Sequence, residues 1–273
     1  MSTTPMATPR SQATTLHVHE RGDAGAPRAV LVHSSGTSGS DMLDRFGLAV
    51  PGFHVLAPDR TNYGQSPASA PGGTGRSNGR VPDVAMIDDD AQEIALLLGD
   101  GAHLVGYSYG GVVALAVASR RPGLVRSLTL VEPPAFQLVP DDADALATVA
   151  RVSAAIDTVH DSPDDYFAAF MSSMFGETFR IPLDVIPVDR KAASMREQVA
   201  WDLPLDLSAI AGARIPSLVV CGDWDAGFVA VARHLGHALS GQVLQLDSAS
   251  HFFDGRWPAI AAELERFWRE VDA

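Results

Sequence analysis

The stretch Gly106-Tyr107-Ser108-Tyr109-Gly110 decides the fold of this chain. An apolar run precedes it at residues 102–105 and another follows it at residues 111–117, which predicts a strand, a one-residue corner and a helix. The backbone at such a corner is strained, and the serine hydroxyl points away from the sheet. Both flanking glycines fit this reading, because strand and helix cross closely there. Ser108 is therefore the candidate nucleophile, and the alternative is a tight turn without chemistry.

Composition limits the classes of protein that this chain can belong to. It has 273 residues, of which 46% are hydrophobic and 19% charged, enough to bury a sizeable core. A formal net charge of −13 argues against nucleic acid and anionic membranes as partners. Residues 1–15 lack the apolar segment of a secretory signal, and no apolar run is long enough to span a bilayer. We expect a cytoplasmic monomer or homodimer that acts on a small molecule.

The order of predicted elements indicates an α/β fold. Short apolar runs alternate with helical patterns on both sides of the Ser108 corner, which predicts a doubly wound, mostly parallel sheet. Residues 16–20 predict an antiparallel edge strand. The alternation lapses after Glu132, where three helical segments predict an inserted helical cap. The predicted domains are a flexible tail at 1–15, a core at 16–132 and 205–273, and a cap at 133–204, with a mobile loop at 66–82.

A serine nucleophile requires a base, and the base requires an orienting acid. In open α/β sheets such residues lie on loops at the carboxyl ends of the strands. His251 follows the last predicted strand, and Asp223 and Asp225 follow the strand before it. Glu132 directly follows an earlier strand and is a further candidate for the acid. We favour Asp225 as the acid and His251 as the base.

These segments together resemble the α/β-hydrolase family. The motifs that carry the resemblance are His33-Ser34-Ser35-Gly36, Asp59-Arg60, Gly106-Tyr107-Ser108-Tyr109-Gly110-Gly111, Gly222-x-x-Asp225 and Ser250-His251-Phe252. The resemblance covers the chain from residue 16 onward and implies an α/β-hydrolase fold with Ser108, Asp225 and His251 as the catalytic triad. A serine nucleophile argues against the dehalogenase and epoxide-hydrolase branches of the family, which use aspartate.

The resemblance also implies an oxyanion hole made by the backbone N–H groups of Tyr109 and Ser35. The commonest family pattern has glycine directly after the loop histidine, whereas this chain has Ser34. Either Ser34 or Ser35 therefore presents the second donor. We expect His33 to brace this loop. We expect the adjacent pair at positions 59 and 60 to hold neighbouring loops by an ion pair.

An apolar helix in the predicted cap indicates an apolar substrate. The residues predicted to bind substrate are Ser34, Phe167, Phe170, Met171, Met174, Trp224 and Phe252. The sequence predicts a serine hydrolase that cleaves a carboxylic ester, thioester or lactone through an acyl-enzyme. The alternatives are carbon–carbon bond hydrolysis or perhydrolysis on the same triad, and a non-enzymatic binder that keeps the triad.

No metal or cofactor is predicted. The sequence shows no cluster with metal-ligand spacing and no phosphate-binding glycine loop between a strand and a helix. His17 and His19 share one face of the predicted edge strand, and we interpret that face as solvated rather than metal-binding.

Overall fold

The computed structural model describes residues 14–68, 86–175 and 183–273. The predicted tail at 1–15 and the predicted loop at 66–82 lie almost entirely outside these residues. Among the described residues, no helix combines the length and the apolar character needed to cross a membrane.

A seven-stranded sheet forms the centre of the molecule, in the order β1-β3-β2-β4-β5-β6-β7. Strand β1 pairs antiparallel with β3 at one edge, and the remaining pairs are parallel. The strands are β1 Val18–Arg21, β2 Arg28–Val32, β3 His54–Pro58, β4 Ala102–Tyr107, β5 Val125–Val131, β6 Ser217–Gly222 and β7 Gln242–Leu246. The predicted doubly wound, mostly parallel sheet is confirmed.

Helices cover both faces of the sheet. Within the described ranges the α-helices are α1 Ile87–Leu97, α2 Tyr109–Arg120, α3 Ala143–Ile156, α4 Pro163–Phe175, α5 Val188–Met195, α6 Ser208–Gly212, α7 Ala226–Ala238 and α8 Trp257–Asp272.

Alternating side chains of the strands build two hydrophobic cores, as the two-residue period of a strand requires. In β2, Val30 and Val32 pack in the core formed with α1, α2 and α7. Ala29 and Leu31 of the same strand pack in the core formed with α8. Both faces of the central strands are covered, which explains why these strands are continuously apolar in sequence.

The topology brings the candidate residues to one edge of the sheet. Strands β4, β5, β6 and β7 are parallel neighbours, so the loops after them lie side by side. Ser108, Glu132 and His251 belong to three of these loops. Between β5 and β6 the chain forms α3, α4 and α5, and α3 packs against both α4 and the core helix α7.

Candidate active site

Ser108 occupies a strained corner between β4 and α2. Its backbone has φ 53° and ψ −121°, in a region that non-glycine residues rarely adopt. A Cβ on Gly106 would lie 2.3 Å from the carbonyl oxygen of Gly110. A Cβ on Gly110 would lie 2.2 Å from the carbonyl oxygen of Val32. The crossing of strand and helix therefore requires glycine at both positions, as the sequence predicted.

His251 contacts the carboxylate of Glu132. Its Nδ1 lies 2.5 Å from Glu132 Oε2, and both side chains are buried. The other carboxylate oxygen accepts hydrogen bonds from Gly222 N (2.6 Å) and Trp224 Nε1 (2.8 Å). An ionised carboxylate only accepts hydrogen bonds, so Nδ1 carries a proton and Nε2 is the nitrogen that can take up another.

Asp225, the favoured acid, does not contact His251 among the described contacts, and that prediction is wrong. Its carboxylate pairs with Arg151 Nη2 at 2.8 Å and accepts a hydrogen bond from Thr148 Oγ1 at 3.1 Å, both on α3. It also accepts from Phe228 N at 3.1 Å, which makes it the N-cap of α7. Asp225 begins a helix, so its side chain turns to the backbone N–H groups of that helix.

Aromatic side chains surround the imidazole of His251. The Tyr107 ring stacks on it with centroids 5.3 Å apart, and the Tyr107 hydroxyl donates to the His251 carbonyl oxygen at 2.8 Å. The ring of Phe228 lies 5.1 Å from the imidazole and that of Trp224 6.0 Å away. These contacts fix the imidazole in a mostly apolar setting.

Two neighbouring cavities open beside Ser108. The larger has a cavity volume of about 60 Å³ and is lined mainly by apolar side chains from α3, α4 and the segment after α5. The smaller contains both Ser108 and His251 in its wall. Ser35, Ser108, Phe170 and Met174 line both cavities.

Five of the seven predicted substrate-binding residues line these cavities: Ser34, Phe170, Met171, Met174 and Phe252. Phe167 instead packs beneath the loop after β2, where a Cβ on Gly36 would lie 2.6 Å from its ring. Trp224 donates its indole N–H to Glu132. Neither of these two is in the described wall of either cavity.

The loop after β2, residues 33–36, is braced by His33 as the sequence predicted. Nδ1 of His33 contacts the carbonyl oxygen of Ser34 at 2.8 Å, and Nε2 accepts from Arg60 N at 2.9 Å. Burial and the nearby Arg60 guanidinium hold the pKa of His33 well below its usual value. The imidazole is therefore neutral, and it joins the loop after β2 to Arg60, which follows β3. Which of Ser34 and Ser35 presents the oxyanion donor stays a prediction.

Asp59 and Arg60 do not pair with each other among the contacts of the described residues, and each holds neighbouring segments through other partners. Arg60, fully buried, instead pairs with Asp90 and Glu197. Sequence reasoning missed Glu197, which lies in the wall of the larger cavity. It follows the end of α5, within residues 133–204, which the sequence predicted to form a helical cap.

His17, His19 and Asp59 lie together, with their potential ligand atoms within 4.8 Å of one another. The Asp59 carboxylate contacts His19 Nε2 at 3.2 Å and accepts from Gly39 N at 2.9 Å. The predicted face of β1 is therefore hydrogen-bonded to the loop after β3 rather than simply solvated.

Comparison with known proteins agrees with this architecture. Residues 29–263 match the model of the alpha/beta hydrolase family. The chain is 33% identical to lipase LipV of Mycobacterium tuberculosis over 122 residues, which cover 43% of this chain and 41% of that protein. It is 26% identical to lipase 1 of Psychrobacter immobilis over 219 residues, covering 76% of this chain and 64% of that protein. The aligned segments thus span between two fifths and two thirds of these relatives.

A solved esterase from Thermogutta terrifontis has a similar fold. It superposes with a TM-score of 0.68 at 21% identity, covering 94% of each chain. At that identity the likeness concerns the fold. Together with the family match over most of the sequence and the Ser108 corner, it places this chain in the α/β-hydrolase family.

Proposed function

We propose that this protein is a serine hydrolase that cleaves a carboxylic ester, thioester or lactone of an apolar small molecule through an acyl-enzyme. The observation that carries the proposal is that Ser108, on its strained corner, and His251, held by Glu132, line one cavity. Acyl transfer requires a nucleophile, a base and an acid that orients the base, and Ser108, His251 and Glu132 lie at one edge of the sheet.

The reaction follows from these positions. His251 Nε2 takes the proton of the Ser108 hydroxyl while Ser108 Oγ forms a bond to the substrate carbonyl carbon. Backbone N–H groups of Tyr109 and of Ser34 or Ser35 stabilise the resulting oxyanion. The C–O or C–S bond to the leaving group then breaks, and His251 returns the proton to that group. A water molecule repeats the sequence on the acyl-enzyme and releases the carboxylic acid.

Glu132 is the acid in this scheme. Its carboxylate keeps the proton of His251 on Nδ1 and stabilises the imidazolium that forms during each step. That carboxylate is hydrogen-bonded to three residues, namely His251, Gly222 and Trp224. The side chain is therefore fixed in place before substrate binds.

The walls of the larger cavity support an apolar substrate group. Ile156, Phe170, Met174, Val199 and Trp201 contribute apolar surface to it. Apolar pockets of this kind bind acyl or alcohol groups by removing their surface from water.

Labelling with a fluorophosphonate probe tests the proposal. Wild-type protein should form one adduct, located at Ser108 by mass spectrometry, and should hydrolyse p-nitrophenyl esters. Ser108→Ala should lose both labelling and turnover, whereas Ser119→Ala, at the far end of the same helix, should retain both. An adduct that persists in Ser108→Ala, or binding of esters without turnover by the wild type, would contradict the proposal.

A further inference from the structure

Glu197 brings a buried carboxylate from the segment after α5 to the loop after β2. The residue is 7% exposed, and its Oε2 accepts a hydrogen bond from the Ser35 hydroxyl at 2.5 Å. Ser35 and Glu197 are 162 positions apart in sequence. This contact therefore joins the helical insertion directly to the loop that carries a proposed oxyanion donor.

A second path leads from the same carboxylate to the next residue of that loop. Glu197 Oε1 accepts from the Tyr63 hydroxyl at 2.8 Å, and the oxygen of that hydroxyl accepts from Gly36 N at 3.2 Å. Glu197 thus holds the side chain of Ser35 and, through Tyr63, the backbone of Gly36.

Arg60 provides a third path. Its Nη2 donates to Glu197 Oε1, and its Nε donates to the carbonyl oxygen of His33 at 3.0 Å. Asp90 accepts from the guanidinium at 3.3 Å, and the rings of Tyr63 and Tyr109 lie 4.8 and 4.5 Å from its central carbon. These contacts fix the Arg60 guanidinium, which therefore links Glu197 to His33 at the start of the loop.

The contacts of Glu197 depend on its carboxylate. Burial raises the pKa of Glu197, and the nearby Arg60 guanidinium opposes that effect. An apolar side chain of similar size would avoid the cost of burying a carboxylate. Such a side chain could not accept hydrogen bonds from Ser35, Tyr63 and Arg60 together.

We infer that Glu197 is a positioning residue, whose carboxylate holds residues 33–36 in the conformation that aims an oxyanion donor at the substrate carbonyl. The inference rests on the proposed serine-hydrolase function, because it assigns Glu197 a task in that reaction. Glu197 acts through the loop rather than on the reacting atoms. Its removal should therefore weaken binding of the tetrahedral state more than binding of the ester.

Glu197→Gln tests this role with little change in shape. We expect kcat to fall about 10- to 100-fold with KM within about threefold of wild type, since a misplaced donor costs less than a deleted one. The rate of covalent labelling of Ser108 by a fluorophosphonate should fall by the same factor, because the phosphonyl adduct mimics the tetrahedral state.

Ser35→Ala supplies an independent test if the first variant folds poorly. It deletes the hydroxyl that contacts Glu197 and keeps both the backbone N–H and the Arg60–Glu197 pair. We expect kcat to fall about three- to tenfold. The double variant should lose less than the product of the two single losses, because both substitutions break the same contact.

Arg151→Gln is the matched control. Arg151, on α3 of the helical insertion, pairs with Asp225 of the core, and its described contacts do not include the 33–36 loop. It should leave kcat within about threefold of wild type. Circular dichroism and thermal unfolding must show that every variant compared is folded.

Two results would overturn the inference. One is wild-type kcat and labelling rate in Ser35→Ala together with wild-type values in any folded Glu197→Gln. The other is a rise in KM with unchanged kcat, which would make Glu197 a substrate contact. Failure of the proposed function is distinguishable from both, because the wild type would then bind esters without turnover or Ser108→Ala would still form the adduct.

Discussion

The loops after β5 and β6 both carry carboxylates, but among the described contacts only Glu132, after β5, contacts His251. Glu132 follows β5 with φ 44°, and its buried side chain reaches the imidazole. Asp225 follows β6 with extended backbone and caps α7. Asp223, on the same loop, is exposed and accepts from Ser248 N at 3.0 Å. The difference teaches that a carboxylate that caps a helix, as Asp225 caps α7, is already engaged by a backbone N–H of that helix.

The loop after β6 nevertheless contributes to the site. Its Gly222 N–H and Trp224 indole N–H both donate to Glu132. The end of β5 therefore supplies the proposed acid, and the loop after the neighbouring β6 supplies two donors that orient its carboxylate. Substitutions after β5 should test the contact with His251, and substitutions after β6 should test the orientation of the Glu132 carboxylate.

The largest effect is expected for Glu132→Gln. The amide keeps the shape but can present N–H to Nδ1 of His251, which favours the tautomer with its proton on Nε2 and removes the base. We expect kcat for p-nitrophenyl esters to fall about 10²- to 10⁴-fold with a smaller change in KM. Circular dichroism must show a folded chain, because the amide also faces two buried donors. A folded Glu132→Gln with near wild-type kcat would remove Glu132 from the triad.

The positions of the proposed nucleophile and base at the ends of β4 and β7 were predictable from the sequence, because each depends on a local pattern. Ser108 lies between glycines that the crossing of β4 and α2 requires, and His251 follows the last strand of the sheet. The alternation of apolar runs likewise predicted the parallel sheet, since buried strands are continuously apolar.

The carboxylate that contacts His251 and the long-range contacts of Glu197 were not predictable in the same way. The sequence left Glu132, Asp223 and Asp225 open, because spacing does not show which side chain reaches across to a neighbouring loop. Glu197 is 137 residues from its partner Arg60 and belongs to no local motif. Long-range contacts of this kind appear only once the chain is folded.

A smaller effect is expected for Trp224→Phe. This change keeps an aromatic ring beside Phe228 and removes one donor to the Glu132 carboxylate. Hydrogen bonds to charged groups contribute about 1.5–3 kcal/mol. Part of that energy orients His251, so we expect kcat to fall about three- to tenfold with little change in KM.

The matched control for this change is Trp268→Phe. The Trp268 indole nitrogen is buried and has no hydrogen-bond partner among the described residues, so kcat should remain at the wild-type value. Equal losses of kcat in the two variants would mean that Trp224 acts only through packing.

The smallest catalytic effect is expected for Asp225→Asn. The amide oxygen can still cap α7, while the ion pair with Arg151 is lost, and Arg151 is 43% exposed. Such a pair contributes about 1 kcal/mol or less, which corresponds to a decrease of about 2–4 °C in Tm at most. Thermal unfolding should show this decrease, and Arg151→Gln should reproduce it, while kcat stays within about threefold in both variants. A loss of kcat of two orders of magnitude or more in Asp225→Asn, at unchanged Tm, would return the acid to the end of β6 and leave Glu132 as its neighbour.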